Sequence, residues 1–254
     1  QLFEALSAHG SAIVSVDDEA CAQLVRDRRS DLAAAITTIS CDDAGADYFA
    51  TGSLLQDAQG RIADITNVLT LQGRHNVQNA LAAFAAAQQV FEDRKGLSAA
   101  FKSFPGLAHR LQQVRQFGSI SYVNDSKATN AAATRHALSA YKNIYWIVGG
   151  QAKEEGITPL IDTLHDVKKV YLIGDAAETY ASTLSAHVPC VLSGTLEKAL
   201  PNATEDALSD GGGVVLFSPA SASFDQFANF EQRGEAFVRI VDSYLDARMR
   251  EKSA

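Results

Sequence analysis

Residues 122–130 read Y-V-N-D-S-K-A-T-N. A short apolar run ends in Asn124-Asp125-Ser126-Lys127 and is followed at once by an alanine-rich stretch with helical character. Strand, polar turn and helix in that order form the repeating unit of an open α/β sheet, whose ligands bind at the carboxyl ends of the strands. An acid, a base and hydroxyls collected at that end make the turn a candidate site. Two other polar-rich segments read the same way, Q-G-R-H-N-V-Q-N at 72–79 and S-P-A-S-A-S-F-D at 218–225.

Beyond Phe104-Pro105-Gly106 the pattern is regular. Residues 111–116 and 119–124 form a hairpin around Gly118, and helices are expected over 131–141, 158–164, 176–185, 196–208 and 227–248. Apolar runs at 144–148, 170–173, 190–192 and 214–217 fall between them, which predicts a mostly parallel sheet flanked by helices. Upstream the texture changes. Residues 2–9 read as the end of a helix, 12–16 as a buried strand stopping at Asp17-Asp18, and 19–28 as a helix with Leu24 and Val25 inward. Short runs at 35–40, 47–51, 53–56, 61–65 and 67–71, separated by turn residues, predict antiparallel edge strands.

A helix over 75–91 places Val77, Leu81, Phe84 and Gln88 on one stripe, with Asn76 and Asn79 one turn apart on a neighbouring face. Asparagine is a poor interior helix former. Two of them in a first turn either cap exposed amides or face a ligand at the helix amino end, where phosphate is favoured. A short helix at 97–104 breaks at Phe104-Pro105-Gly106, which sets a boundary between domains 1–105 and 106–254.

The 254 residues suit two ordinary domains, and 46% hydrophobic with 20% charged residues is ordinary for a globular chain. A net charge of −8 without a basic face argues against sequence-independent nucleic-acid binding, which neutralises several phosphates. Cys21, Cys41 and Cys190 are far apart and form no C-x-x-C, so the expectation is reduced thiols in a cytoplasmic protein rather than disulfides or a zinc site. The longest apolar run, 80–87, is too short to span a bilayer, and no signal-like segment opens the sequence. Because it starts Gln1-Leu2-Phe3 inside an expected helix, an upstream part is expected as well.

No G-x-G-x-x-G follows the first strand, which disfavours dinucleotide binding, and no G-x-x-x-x-G-K-[ST] is present to cradle phosphates. What remains are polar residues after strands: Asp125 and Lys127 on one loop, Arg110 after the break at Pro105-Gly106, Lys153 after Gly149-Gly150, and Ser221 and Ser223 after Phe217. Each alone reads as a solvated side chain. Together at strand carboxyl ends, several cations and hydroxyls suit an anionic ligand such as a nucleotide phosphate or a carboxylate.

Five segments carry a resemblance: H-N-x-x-N at 75–79, H-R at 109–110, N-D-S-K-A-T-N at 124–130, G-G-x-x-K at 149–153, and S-P-A-S-A-S-F-D-Q-F-x-N-F-E-Q-R-G at 218–234. They resemble the Mur ligases over nearly the whole chain. The resemblance implies that 1–105 is the tail of the family's central P-loop-type ATPase domain and 106–254 its C-terminal Rossmann-like domain. The last segment resembles the branch of the family that adds D-glutamate to UDP-N-acetylmuramoyl-L-alanine. Implied with it are ATP-driven phosphorylation of a carboxylate, attack of the D-glutamate amine on the acyl phosphate, and ATP with magnesium as cofactors. By similarity Asn76, Asn79, Arg110, Asp125 and Lys127 contact the nucleotide, while Thr129, Lys153, Ser223 and the Phe224 and Phe230 backbone hold D-glutamate. The family's uridine-nucleotide domain, phosphate loop and magnesium carboxylate are not in this sequence, and its carbamylated lysine falls just before Gln1. A fragment that is inactive alone is therefore expected, from a monomeric cytoplasmic enzyme of small-molecule substrates without nucleic-acid or membrane partners. The competing readings are another Mur or folylpolyglutamate-type ligase and a non-catalytic nucleotide-binding module.

Overall fold

In a computed structural model that describes residues 5–7, 9–28, 34–71 and 73–253, the chain forms two compact units, Gln1–Pro105 and Gly106–Ala254. The helix expected over 2–9 falls mainly on residues outside those described.

The first unit is built on a five-stranded sheet: β1 (Ser11–Ser15), β2 (Ala35–Ser40), β3 (Tyr48–Thr51), β4 (Leu54–Asp57) and β5 (Gly60–Asp64), in that spatial order. The expectation of antiparallel edge strands here is corrected. β2 pairs in parallel with both β1 and β3, and only the β3–β4 and β4–β5 hairpins are antiparallel. The tight turns at Gly52 (φ 61) and Gly60 (φ 106) account for the hairpins, whereas helix α1 (Glu19–Arg28) lies between β1 and β2 in sequence and makes their parallel pairing feasible. The run at 67–71 is not a strand either: Leu69–Leu71 is a 3-10 turn, closed by Leu71 N–H donating to Val68 O at 2.9 Å.

Helix α2 (Arg74–Gln88) covers this sheet. Its buried Val77, Ala80, Leu81, Phe84 and Ala85 recur at helical spacing and pack with Ile39, Ala50, Leu55, Ile62 and Ile65. Helix α3 (Arg94–Ala100) starts at Asp93, whose carboxylate accepts from the Gly96 amide at 2.9 Å.

The second unit has a six-stranded sheet in the order β10-β9-β8-β11-β7-β6. Its strands are β6 (Gln112–Phe117), β7 (Ile120–Asn124), β8 (Ile144–Gly149), β9 (Val167–Ile173), β10 (Cys190–Gly194) and β11 (Gly213–Phe217). All pairs are parallel except the β6–β7 hairpin. Every residue of β8 is buried, as expected of a central strand covered on both faces. On one face lie α4 (Ala131–Ala140), the 3-10 segment Thr158–Asp166 and α5 (Ala177–Leu184), with Trp146, Val148 and Leu172 in the core between. On the other lie α6 (Leu196–Ser209) and α7 (Phe230–Ser253), packed on Tyr145, Ile147, Tyr171 and Phe217. Residues 158–164, expected as an ordinary helix, take the tighter 3-10 form, with Pro159 in its first turn. Helix α7 begins at Phe230 rather than at 227, because the Asn229 side chain accepts from the Gln232 amide at 2.7 Å and starts the helix there.

This topology places the site. β8 and β7 are each followed by elements on one face, and β11, which pairs with both, is followed by α7 on the other. Oppositely directed connections open a crevice at the carboxyl ends of β8, β11 and β7, the position where open α/β sheets bind ligands.

Candidate functional site

Three loops leave the sheet at this crevice, after β7 at 124–130, after β8 at 149–153 and after β11 at 218–223. A fourth, 109–111, leads into β6.

The loop after β7 is held almost atom by atom. Asn124 is fully buried; its Oδ1 accepts from the Ser126 amide at 3.1 Å, and its Nδ2 lies 3.1 Å from the Gly234 carbonyl and 3.0 Å from His109 Nδ1. With Oδ1 occupied as an acceptor, Nδ2 is the donor, so His109 accepts at Nδ1 and carries its proton on Nε2. The His109 carbonyl in turn accepts from the Lys127 amide at 3.0 Å. His109 (φ 62) and Leu111 (φ 45) both adopt the left-handed conformation, a strained arrangement that puts exposed Arg110 between two fixed residues.

Asp125 is buried beneath this loop. Its carboxylate accepts from the Leu111 amide at 3.2 Å and from the Ser218 hydroxyl at 2.7 Å, with Thr134 Oγ1 3.0 Å from the same hydroxyl. Burial pushes its carboxyl up to about 6, against the opposing pull of the Ser218 hydroxyl, the Leu111 amide and the Arg110 charge. Lys127 projects beside it with its ammonium 3.8 Å from the centre of the Phe230 ring, a cation–π contact. His109 meets the same ring edge-on at 6.3 Å.

The loops after β8 and β11 are stitched together. Gln151 and Ala222 form a two-way backbone bridge, with amide-to-carbonyl distances of 2.9 and 3.1 Å, and the Gly149 amide donates to the Pro219 carbonyl at 3.0 Å. Gly150 has φ 134, and a Cβ there would stand 2.3 Å from the Ala222 carbonyl oxygen, so only glycine permits the approach. Lys153 follows on an exposed turn closed by the Gly156 amide donating to its carbonyl at 3.0 Å. Ser223 is buried, Phe224 is 68% exposed, and the Phe230 carbonyl accepts from the Ser126 hydroxyl at 2.8 Å. Among the described residues, Arg110, Lys127 and Lys153 form no ion pair with a carboxylate, and the Thr129 and Ser223 hydroxyls make no hydrogen bond. Cations that pair with no carboxylate, beside hydroxyls that make no hydrogen bond, fit an anionic ligand with several oxygens.

The residue missing from the sequence reading is Arg233 of α7. It is 1% exposed and donates to Ser126 Oγ (3.1 Å) and to the Ser126, Ser221 and Ala222 carbonyls (2.9, 3.0 and 3.0 Å). Only its place in the quoted 218–234 segment could have signalled it.

Asn76 and Asn79 belong to the first unit. They lie in the first and second turns of α2, where Asn79 Nδ2 donates to Asn76 Oδ1 at 3.4 Å, and the helix is preceded by Gly73, which has no side chain to cap it. Neighbouring Gln78 donates to Ser15 Oγ at 2.5 Å and Asp17 Oδ2 at 3.1 Å, which ties this turn to the carboxyl end of β1. Asp17 also accepts from the Cys41 amide at 3.0 Å and pairs with Arg74 at 3.2 Å, so it is fully occupied within the unit. Among the described residues no three His, Cys, Asp or Glu side chains gather as a metal cage, and no helix is long and apolar enough to cross a membrane.

The family model described as the Mur ligase middle domain matches residues 1–87, and that of the Mur ligase glutamate ligase domain matches residues 109–221. The UDP-N-acetylmuramoylalanine--D-glutamate ligase of Caulobacter vibrioides is 47% identical over 238 residues, covering 91% of this chain and 50% of the relative. The ligase of the same name from Rhizobium meliloti is 46% identical over 243 residues, covering 93% and 52%. The chain thus spans about half the length of the curated relatives it matches. Among solved structures, UDP-N-acetylmuramate-alanine ligase from Thermotoga maritima superposes with a TM-score of 0.60 at 16% identity, covering 91% of this chain and 51% of that one. Folylpolyglutamate synthase from Mycobacterium tuberculosis, complexed with ADP, gives 0.61 at 17%, covering 89% and 55%. At that identity the likeness is one of fold.

Proposed function

The chain belongs to the Mur ligase family, and on that premise we propose that the protein containing it is an ATP-dependent ligase of peptidoglycan precursor synthesis, joining D-glutamate to UDP-N-acetylmuramoyl-L-alanine. The observation that carries this reading is the set of loops gathered at the strand carboxyl ends of the second unit. Arg110, Lys127 and Lys153, without carboxylate partners among the described residues, are presented by interlocked loops that fall largely within the segment matching the glutamate ligase domain.

In this reaction a substrate carboxylate oxygen attacks the γ-phosphorus of ATP and ADP leaves. The D-glutamate nitrogen then attacks the carbonyl carbon of the acyl phosphate, the C–O bond to phosphate breaks, phosphate departs with the electron pair, and the amine loses a proton. Such transfers depend on positioning and charge neutralisation more than on covalent work by the protein. In this proposal Arg110 and Lys127 neutralise phosphate oxygens. Asp125, whose carboxylate oxygens each keep a lone pair after their internal hydrogen bonds, accepts from the ribose hydroxyls. Asn76 and Asn79 contact the nucleotide. Lys153 pairs with one carboxylate of D-glutamate, with the Thr129 and Ser223 hydroxyls and the backbone at Phe224 and Phe230 orienting the rest. Magnesium would offset phosphate charge in such a transfer, but with no carboxylate cage among the described residues no residue here is given the role of ligand. The enzyme is expected to act as a cytoplasmic monomer.

The test is phosphate release by the full-length protein with ATP, UDP-N-acetylmuramoyl-L-alanine and, in turn, D-glutamate, L-alanine and meso-diaminopimelate. Release with D-glutamate is expected. Activity only with a different amino acid would overturn the assignment.

A further inference from the structure

We propose that Arg233 is a positioning residue for the second chemical step, its guanidinium holding the Ser126-Lys127 loop and the Ser221-Ala222-Ser223 loop in register so that the amine meets the acyl phosphate. The proposal rests on the function given above and adds a residue and a step to it.

The geometry is that of a fork gripping two loops at once. Nε and one terminal nitrogen take the hydroxyl and carbonyl of Ser126, while the two terminal nitrogens take the carbonyls of Ser221 and Ala222. A third loop is drawn in from below: a Cβ on Gly150 would stand 3.0 Å from Nη1, and the next residue, Gln151, bridges to Ala222. Every acceptor is an uncharged oxygen. The nearest charge partner, Asp225, makes no hydrogen bond to the fork and instead accepts from the Asp175 amide at 3.2 Å. Burying a cation without a hydrogen-bonded carboxylate is costly, and an apolar side chain of similar volume usually fills such a place at lower cost. What arginine supplies and an apolar residue cannot is a rigid planar set of donors that reaches several acceptors in fixed directions. Lysine keeps the charge, but its donors radiate from one point and cannot span Ser126 and Ala222 together.

The consequence separates the two chemical steps. Ser126 is followed by Lys127 on the nucleotide side, and Ala222 by Ser223 on the amino-acid side. Phosphorylation of the carboxylate needs the nucleotide side alone, whereas amide formation needs both loops in mutual alignment. When the fork is lost, acyl phosphate still forms, but water attacks its carbonyl carbon, and phosphate leaves without an amide being made.

The experiment compares full-length wild type with Arg233→Lys, measuring phosphate released against amide formed, the KM for D-glutamate and the thermal midpoint. Wild type is expected to give phosphate and amide in equal amounts. Arg233→Lys is expected to release phosphate in clear excess over amide, with a KM for D-glutamate raised about tenfold by the displaced loop. Equal amounts in a folded Arg233→Lys, however slow, would show a merely structural residue and overturn the proposal. Should that variant not fold, Ser126→Ala removes one acceptor of the same fork, and equal amounts there overturn it likewise. If wild type works only with another amino acid, the D-glutamate assignment falls, and the ratio measured with that amino acid still decides the role of Arg233.

Discussion

Gly234 and His109 meet so closely that a Cβ on Gly234 would stand 2.2 Å from the imidazole Nδ1. An alanine in the interior of a helix such as α7 ordinarily gains about 1 kcal/mol over glycine. Here the gain is outweighed, because the imidazole cannot stay where it accepts from Asn124 at 3.0 Å, and both groups are buried. Gly234→Ala is expected to destabilise the protein by roughly 1–3 kcal/mol in denaturant titration, and to weaken nucleotide binding through the displaced Arg110 loop. A stabilised variant would contradict this packing.

Asp125 sets a pH dependence of known sign. Its carboxyl is raised to about 6 by burial, above the unfolded value, so the native state holds the extra proton between about pH 4 and 6. Its contribution to stability is therefore fully present below about pH 4 and is lost as pH rises through 6, by roughly 2–3 kcal/mol. In Asp125→Asn that slope should vanish from the variant's own unfolding free energy, so that the difference between wild type and variant carries it across this window. An unchanged slope would place the titration elsewhere.

Trp146 is the single tryptophan, fully buried, with Nε1 donating to the Ser218 carbonyl at 2.8 Å at the base of the candidate site. Its emission should be blue-shifted and shielded from acrylamide. Ligands that reorder the loop after β11 should change its intensity. Trp146→Phe removes that bond and part of the core volume, and is expected to cost about 2–4 kcal/mol.

The three thiols should differ sharply in reactivity. Cys21 is exposed, whereas burial and then the Asp17 charge push the Cys41 thiol up to about 11, and burial also raises Cys190. With a disulfide reagent at pH 8, one fast thiol traceable to Cys21 is expected, and Cys41 should react only after unfolding. Rapid reaction of Cys41 in the native protein would contradict the structure around Asp17.

The strands of the second unit other than β6 were legible because each is a short apolar run bounded by turns, β6 was legible only as the hairpin partner of β7 around Gly118, and the family was legible because most of its polar motifs lie in loops, where side chains are kept for chemistry rather than packing. The parallel pairing of β1, β2 and β3 was not, since periodicity reports which face is buried but not which direction a neighbour runs. Val68 and Leu71 look like strand residues for the same reason: an apolar pair serves a 3-10 turn over a core equally well. Arg233 reads in sequence as one more charge on a helix. Its burial is decided by carbonyls at 126, 221 and 222, on loops that become its neighbours only in the folded sheet.

The position of β11 has a consequence for how the protein comes to exist. Gly213–Phe217 is inserted between β8 and β7, which precede it by roughly 70 and 90 residues and do not pair with each other. Until that strand has left the ribosome, both partners present unpaired edges, and closing such long loops is slow. The crevice cannot exist on any shorter nascent chain, and the groups that hold its loops are complete only when Phe230 and Arg233 of α7 have followed the last strand. Chains that stop before residue 213 should collect as aggregates rather than as partially active protein.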